Sequence, residues 1–217
     1  MTPRELRNRR LLTVGMAIAV LVASVGFGVL NAVAAGGDPL HVDTAWMAVV
    51  HPESSPWVAP SLFLHDLGAG LPAFVTVSAT TGALLLWRRP WGAGCLLVAA
   101  IASTALIEII KNSIGRPRPT LALIDVGFGS FPSGHSARAA MFAVALGILF
   151  PHLWVWMLGA AYTLAMMFSR TQLGAHWLTD TIGGALIGAA VALLCCTLVS
   201  SQLETEGEQA HPRPWGR

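Results

Sequence analysis

Apolar residues gather in six long runs along this chain, at about residues 11–33, 58–86, 91–112, 134–150, 152–169 and 176–199. Runs near 20 residues match the thickness of a bilayer's hydrocarbon core, so the pattern predicts an all-α integral membrane bundle of six transmembrane helices. The fourth and fifth runs are short and meet at Phe150-Pro151-His152, where proline stops one helix and permits a tight hairpin. Leu71-Pro72 predicts a kink in the second run. Two polar connections are substantial, at 34–60 and 111–131, and the polar tail 200–217 is expected to be disordered. The chain therefore divides into an N-terminal segment 1–10, one membrane domain 11–199 and the tail 200–217, with no internal repeat.

Composition sharpens this class. The 217 residues are 54% hydrophobic and only 11% charged, against about 25% charged in a soluble domain. Mean hydropathy is +0.64. A net charge of +2 without a basic stripe gives nucleic acid no footprint. Cys95, Cys195 and Cys196 all sit in apolar runs and read as small packing residues, not as metal ligands or a disulfide framework. The first run is longer than a signal-peptide core, although residues 32–35 could mimic a cleavage site.

Positive charge then orients the bundle. Arg4, Arg7, Arg9, Arg10, Arg88, Arg89, Arg213 and Arg217 fall on one side of six spans, predicting cytoplasmic N- and C-termini. Lys111, Arg116, Arg118, Arg138 and Arg170 fall on the other side, against that tendency, and look like ligands for an anion.

Three segments carry the chemistry. His176 and Asp180 are spaced to share one helix face, where the carboxylate can fix the imidazole tautomer and leave the other nitrogen as base or nucleophile. Pro132-Ser133-Gly134-His135 precedes the fourth run, so the amides of 133–135 would lie at a helix N-terminus suited to phosphate, with a second imidazole beside them. Lys111 ends the third run, and Arg118, flanked by Pro117 and Pro119, is held on a stiffened loop that offers planar recognition of phosphate oxygens. Each feature alone has a plainer reading: a structural His–Asp pair, an ordinary N-cap, a solvated basic loop. Together they suit phosphoryl transfer, in which cations and amides stabilise the transition-state charge.

These residues closely resemble the type 2 phosphatidic acid phosphatase family. Its pattern is Lys, six residues, Arg-Pro; then Pro-Ser-Gly-His; then Ser-Arg, five residues, His, three residues, Asp. Lys111 with Arg118-Pro119, the segment 132–135, and Ser169-Arg170 with His176 and Asp180 match it in order and without substitution. The resemblance covers about residues 58–199. It implies His176 as nucleophile forming a phosphohistidine, Asp180 orienting it, and His135 as general acid and then base. Phosphate would be bound by Lys111, Arg118, Ser133, Gly134 and Arg170. The resemblance also implies a six-helix bundle and a metal-independent reaction with no cofactor; with the charge placement, the expected site is at the extracytoplasmic face of a bacterial plasma membrane.

The expected partners are membrane lipids and a lipid phosphate or diphosphate such as a polyprenyl diphosphate, phosphatidylglycerophosphate or phosphatidic acid. The oligomeric state, and the roles of His65, Asp66, Glu108, Arg116 and Arg138, stay open at this level. A lipid-linked phosphotransferase would use the same site. Vanadium-dependent haloperoxidases share the pattern but are soluble. A small anion or lipid transporter would need polar residues through the bundle's depth, whereas these charges cluster at one end.

Overall fold

The computed structural model describes residues 2–50 and 55–210. Among them the regular structure is helical throughout: α1 (Pro3–Ala35), α2 (His41–Val50), α3 (Val58–Gly68), α4 (Gly70–Leu86), α5 (Pro90–Ile114), α6 (Gly134–Leu149), α7 (Leu153–Gln172), α8 (Leu178–Leu198) and α9 (Ser200–Ala210). Three of these, α1, α5 and α8, are long and apolar enough to cross a membrane, and a fourth span results if α3 and α4 count as one bent element. α6 is shorter, and α6 and α7 meet at the expected proline hairpin.

α8 lies at the centre, packed against α1, α5 and α6, while α7 joins α6 and α3. Glycines make the central contact close. A Cβ at Gly184 would collide with the Ser133 carbonyl, and one at Gly188 with the Ala137 carbonyl. This absence of side chains brings the start of α6 directly onto the first turns of α8.

The second apolar run is broken instead of merely kinked. α3 and α4 meet at 58°, with Ala69 extended between them. The cause is Pro72, which has no N–H to return to the Gly68 carbonyl four residues back. That carbonyl is left free, and its new partner lies in the site described below.

Three expectations need correction. The connection 34–60 contains the helix α2, whose Asp43 carboxylate accepts the Leu40 N–H at 3.1 Å and so starts it. The tail expected to be disordered forms α9 as far as Ala210; there the Glu206 carboxylate accepts the N–H groups of Trp91 and Gly92 at the α5 N-terminus, where a negative charge suits the helix dipole. Two of the three cysteines are not simple packing residues: α5 and α8 place the Cα atoms of Cys95 and Cys196 at 5.7 Å and the two form a disulfide, while Cys195 stays free. Pro52 and Glu53 of the first connection, and Arg213 and Arg217 of the tail, lie outside the described residues.

Candidate active site

At one end of the bundle, five segments converge: the end of α5 with the loop 115–133, the start of α6, the ends of α3 and α7, and the start of α8. α5 stops at Gly115, whose left-handed conformation (φ 61°) turns the chain inward. The loop that follows is tied back by the Ser130 N–H to the Arg116 carbonyl and by the Ser130 hydroxyl to the Pro117 carbonyl.

His176 lies in the turn between α7 and α8, not on a helix as its spacing to Asp180 predicted. Trp177 is the α8 N-cap, and Asp180 accepts the Trp177 N–H at 2.9 Å. The His176 N–H is itself held by the Arg170 carbonyl. Its Nδ1 lies 2.7 Å from the Ser130 carbonyl and 3.7 Å from Asp180 Oδ2. A carbonyl only accepts, so Nδ1 carries the proton and Nε2 keeps its lone pair. The Ser130 carbonyl is thus the nearer orienting group, with Asp180 behind it. Burial, then the positive charges of Arg118, Arg170 and Lys111, hold His176 well below the ordinary imidazole range, partly offset by the bond to Ser130. The ring is neutral at pH 7.

Three cations act on this ring. Arg118 donates from Nε to the Gly127 carbonyl at 2.7 Å and from Nη1 to the Ala175 carbonyl at 2.6 Å, with Nη1 also 3.4 Å from His176 Nε2. Arg170 is buried; its Nη1 reaches His65 Nδ1 at 2.8 Å and its Nε has no hydrogen-bond partner. Lys111 packs its stem on Gly129, and its charge acts on His176. Among the described residues, none of these three cations pairs with a carboxylate.

His135 sits in the first turn of α6. Its ring lies 5.2 Å from that of His65, and its Nε2 is buried without a partner. Helix geometry leaves the Gly134 and His135 N–H groups without intrahelical acceptors. Ser133 departs from expectation: its N–H is taken by the Asp180 carbonyl at 3.0 Å, and its hydroxyl caps α6 by accepting from Ser136. Its amide is therefore not available to an anion.

Residues left open by the sequence acquire places. Arg138 donates from Nε and Nη2 to the carbonyl that Pro72 left free, that of Gly68. His65 belongs to the site through Arg170 and His135. Arg116 does not join the anion-facing cations: it is 1% exposed and bonded to Asp43 at 2.8 Å and Asp180 at 2.6 Å. Asp43 was missed altogether, and the one available signal was a lone acid just ahead of the apolar stretch 45–50.

Beyond His135 and Arg138, a groove of about 360 Å³ runs between α4, α6 and α7, past Thr76, Met141, Leu158 and Tyr162. Its walls are apolar apart from these polar groups at the site end. Leu158, on its rim, is 63% exposed and so faces the surroundings of the bundle.

An all-helical bundle with three or four membrane-length spans, carrying two imidazoles beside three cations at one end, is the architecture of a multi-pass membrane protein. The family model of the PAP2 superfamily matches residues 92–203, and the chain belongs to that superfamily. It is 31% identical over 165 residues to a lipid A 1-phosphatase of Rhizobium johnstonii, covering 70% of this chain and 61% of that protein. The chain thus spans less than two thirds of that relative's length. It is 29% identical over 153 residues to phosphatidylglycerophosphatase B of Bacillus subtilis, covering 64% of this chain and 74% of that one. The crystal structure of a transmembrane PAP2-type phosphatidylglycerolphosphate phosphatase from Bacillus subtilis superposes with a TM-score of 0.70 at 22% identity, covering 87% of this chain and 96% of that one.

Proposed function

We propose that this protein is a membrane lipid phosphatase working through a phosphohistidine. The observation that carries the reading is the placing of His176, its Nδ1 2.7 Å from the Ser130 carbonyl and its Nε2 3.4 Å from Arg118, with His135 lining one end of an apolar groove. The phosphate of a lipid head would lie against Arg118, Arg170 and Lys111 and the amides of Gly134 and His135, with its tail along the groove.

In the first half-reaction, His176 Nε2 forms a bond to phosphorus as the bond from phosphorus to the lipid oxygen breaks. His135 gives its proton to that oxygen. The bound phosphate supplies the negative charge that a protonated His135 needs in such a cationic site. In the second half-reaction, water attacks phosphorus and passes a proton to His135. The N–P bond breaks, and its electron pair returns to Nε2. Asp180 holds the His176 side of the site, and Ser133 shapes the α6 start without donating its own amide.

The helices α1, α3 with α4, α5, α6, α7 and α8 are read as six spans, with both termini cytoplasmic and the site at the outer face of a bacterial plasma membrane. Candidate substrates remain polyprenyl diphosphate, phosphatidylglycerophosphate and phosphatidic acid; the named activities of the relatives support lipid phosphates as the class.

The test is phosphate release from a panel of these lipids in detergent with EDTA present. Wild type should release phosphate, and His176→Ala should lose at least about 10⁴-fold in kcat. Trapped phosphate that is acid-labile, base-stable and absent from His176→Ala would support the covalent step; substantial turnover by that variant would refute it.

A further inference from the structure

Behind Asp180 the site contains a buried ion network, of which the reaction above uses only Asp180. Asp43 of α2 is fully buried. Its Oδ1 accepts the Thr179 N–H at 2.9 Å, and its Oδ2 accepts from the Thr179 hydroxyl at 2.9 Å and from Arg116 Nη2 at 2.8 Å. Arg116 Nη1 continues to the Thr179 hydroxyl at 2.8 Å and to Asp180 Oδ1 at 2.6 Å. Its Nε reaches the Gly37 carbonyl at 3.2 Å. The other oxygen of Asp180, Oδ2, faces His176 Nδ1. The connection between α1 and α3 is therefore wired to the back of the histidine through two ion pairs.

Charge explains why two carboxylates are present. Arg116 and Asp180 alone would make a neutral pair. With both carboxylates ionised, Asp43 gives the trio one net negative charge, buried behind His176. When Nε2 is bonded to phosphorus and Nδ1 keeps its proton, the ring is a cation among Arg118, Arg170 and Lys111. The phosphoryl group offsets part of that on the near side, and a net negative partner on the far side adds to it, since interactions between buried charges are weakly screened.

We propose that Asp43 is a positioning residue for the reaction: it fixes Arg116 on Asp180 and keeps a net negative charge behind His176. The proposal rests on the phosphohistidine reading. Titrating and charged groups facing His176 are Lys111 from α5, Arg118 from the loop, His135 from α6, Arg170 from α7 and Asp180 from α8. Asp43 itself faces Arg116.

Asp43→Asn removes the charge at nearly constant shape. It should lower kcat about tenfold or more with KM within about threefold, and move the acid limb of kcat/KM to lower pH, since losing a negative charge disfavours the imidazolium. Comparing variants on one lipid phosphate cancels the substrate's own ionisation. Asp43→Glu keeps the charge, so its acid limb should coincide with wild type even where its longer side chain slows turnover. Asp43→Ala repeats the charge loss and guards against a folding failure peculiar to Asn. A wild-type kcat in the neutral variants, or a limb that does not move, overturns the proposal.

A second readout does not depend on activity. In ¹⁵N-histidine spectra, with the His176 signals assigned by their loss in His176→Gln, the neutral variants should titrate at lower pH than wild type. An unchanged titration overturns the role of Asp43 even if turnover falls. If wild type hydrolyses no lipid phosphate but this shift appears, the function reading fails while the electrostatic link stands.

Discussion

Arg116 and Arg118 are two residues apart and serve opposite ends. Arg116 is enclosed by two carboxylates, a hydroxyl and backbone carbonyls, so every part of its charge is met inside the protein. Arg118 bonds only to neutral carbonyls and lies beside an imidazole. Arg170 is likewise placed, with a histidine as partner and Nε unpaired. The first region is a clasp that holds elements together; the second is a cradle whose charge is balanced only by something that arrives. Leaving cations without carboxylates costs stability in the empty protein, which marks where binding energy is to be gained.

That contrast can be broken experimentally. Arg116→Met strands two buried carboxylates, and should cost about 3–5 kcal/mol of stability, read as a fall in the thermal unfolding midpoint in detergent. A midpoint equal to wild type would show that the clasp is not structural. Arg118→Ala and Arg170→Ala should act the other way round. Each should lower kcat/KM for a lipid phosphate by about 10²–10³-fold while leaving the unfolding midpoint close to wild type, because neither cation closes an ion pair with a carboxylate among the described residues. Loss of stability in these variants would erase the distinction between clasp and cradle. The smallest effect is expected away from both: Ala73→Trp narrows the groove, and should raise KM about tenfold for a long-chain lipid phosphate while sparing a short-chain one. Equal effects on the two substrates would place the tail elsewhere.

Much of the frame was legible because its cause is local. Helix positions follow from runs of apolar residues: the ends of the other five runs fall within three residues of the observed ones, whereas α1 begins at Pro3, well before the expected start at 11. The hairpin at Pro151 and the turn at Gly115 are local events as well. The segments 111–119, 132–135 and 169–180 do meet, as their spacing led us to expect. What could not be read depends on partners far along the chain. Asp43 and Arg116 are 73 residues apart. Nothing near either reveals the other, so Arg116 looked like one more anion ligand. The Ser130 carbonyl orients His176 from 46 residues away, and any residue type could supply a backbone oxygen. α9 looked disordered by composition, yet Leu203 and Glu206 are buried against the start of α5 and its neighbours. The disulfide needed the rotational register of α5 and α8, which apolar patterning does not specify.

The break at Ala69 has a consequence for how the protein would meet its substrate. Leu67 and Gly68, at the end of α3, line the groove beside His135; on the proposed lipid phosphatase reading, a substrate would reach that histidine sideways, from within the leaflet, without first dissolving in water. Turnover would then follow the mole fraction of substrate in the surrounding lipid or detergent, not its amount per litre. Diluting the substrate with inert lipid at fixed total volume would slow the protein as surely as removing it.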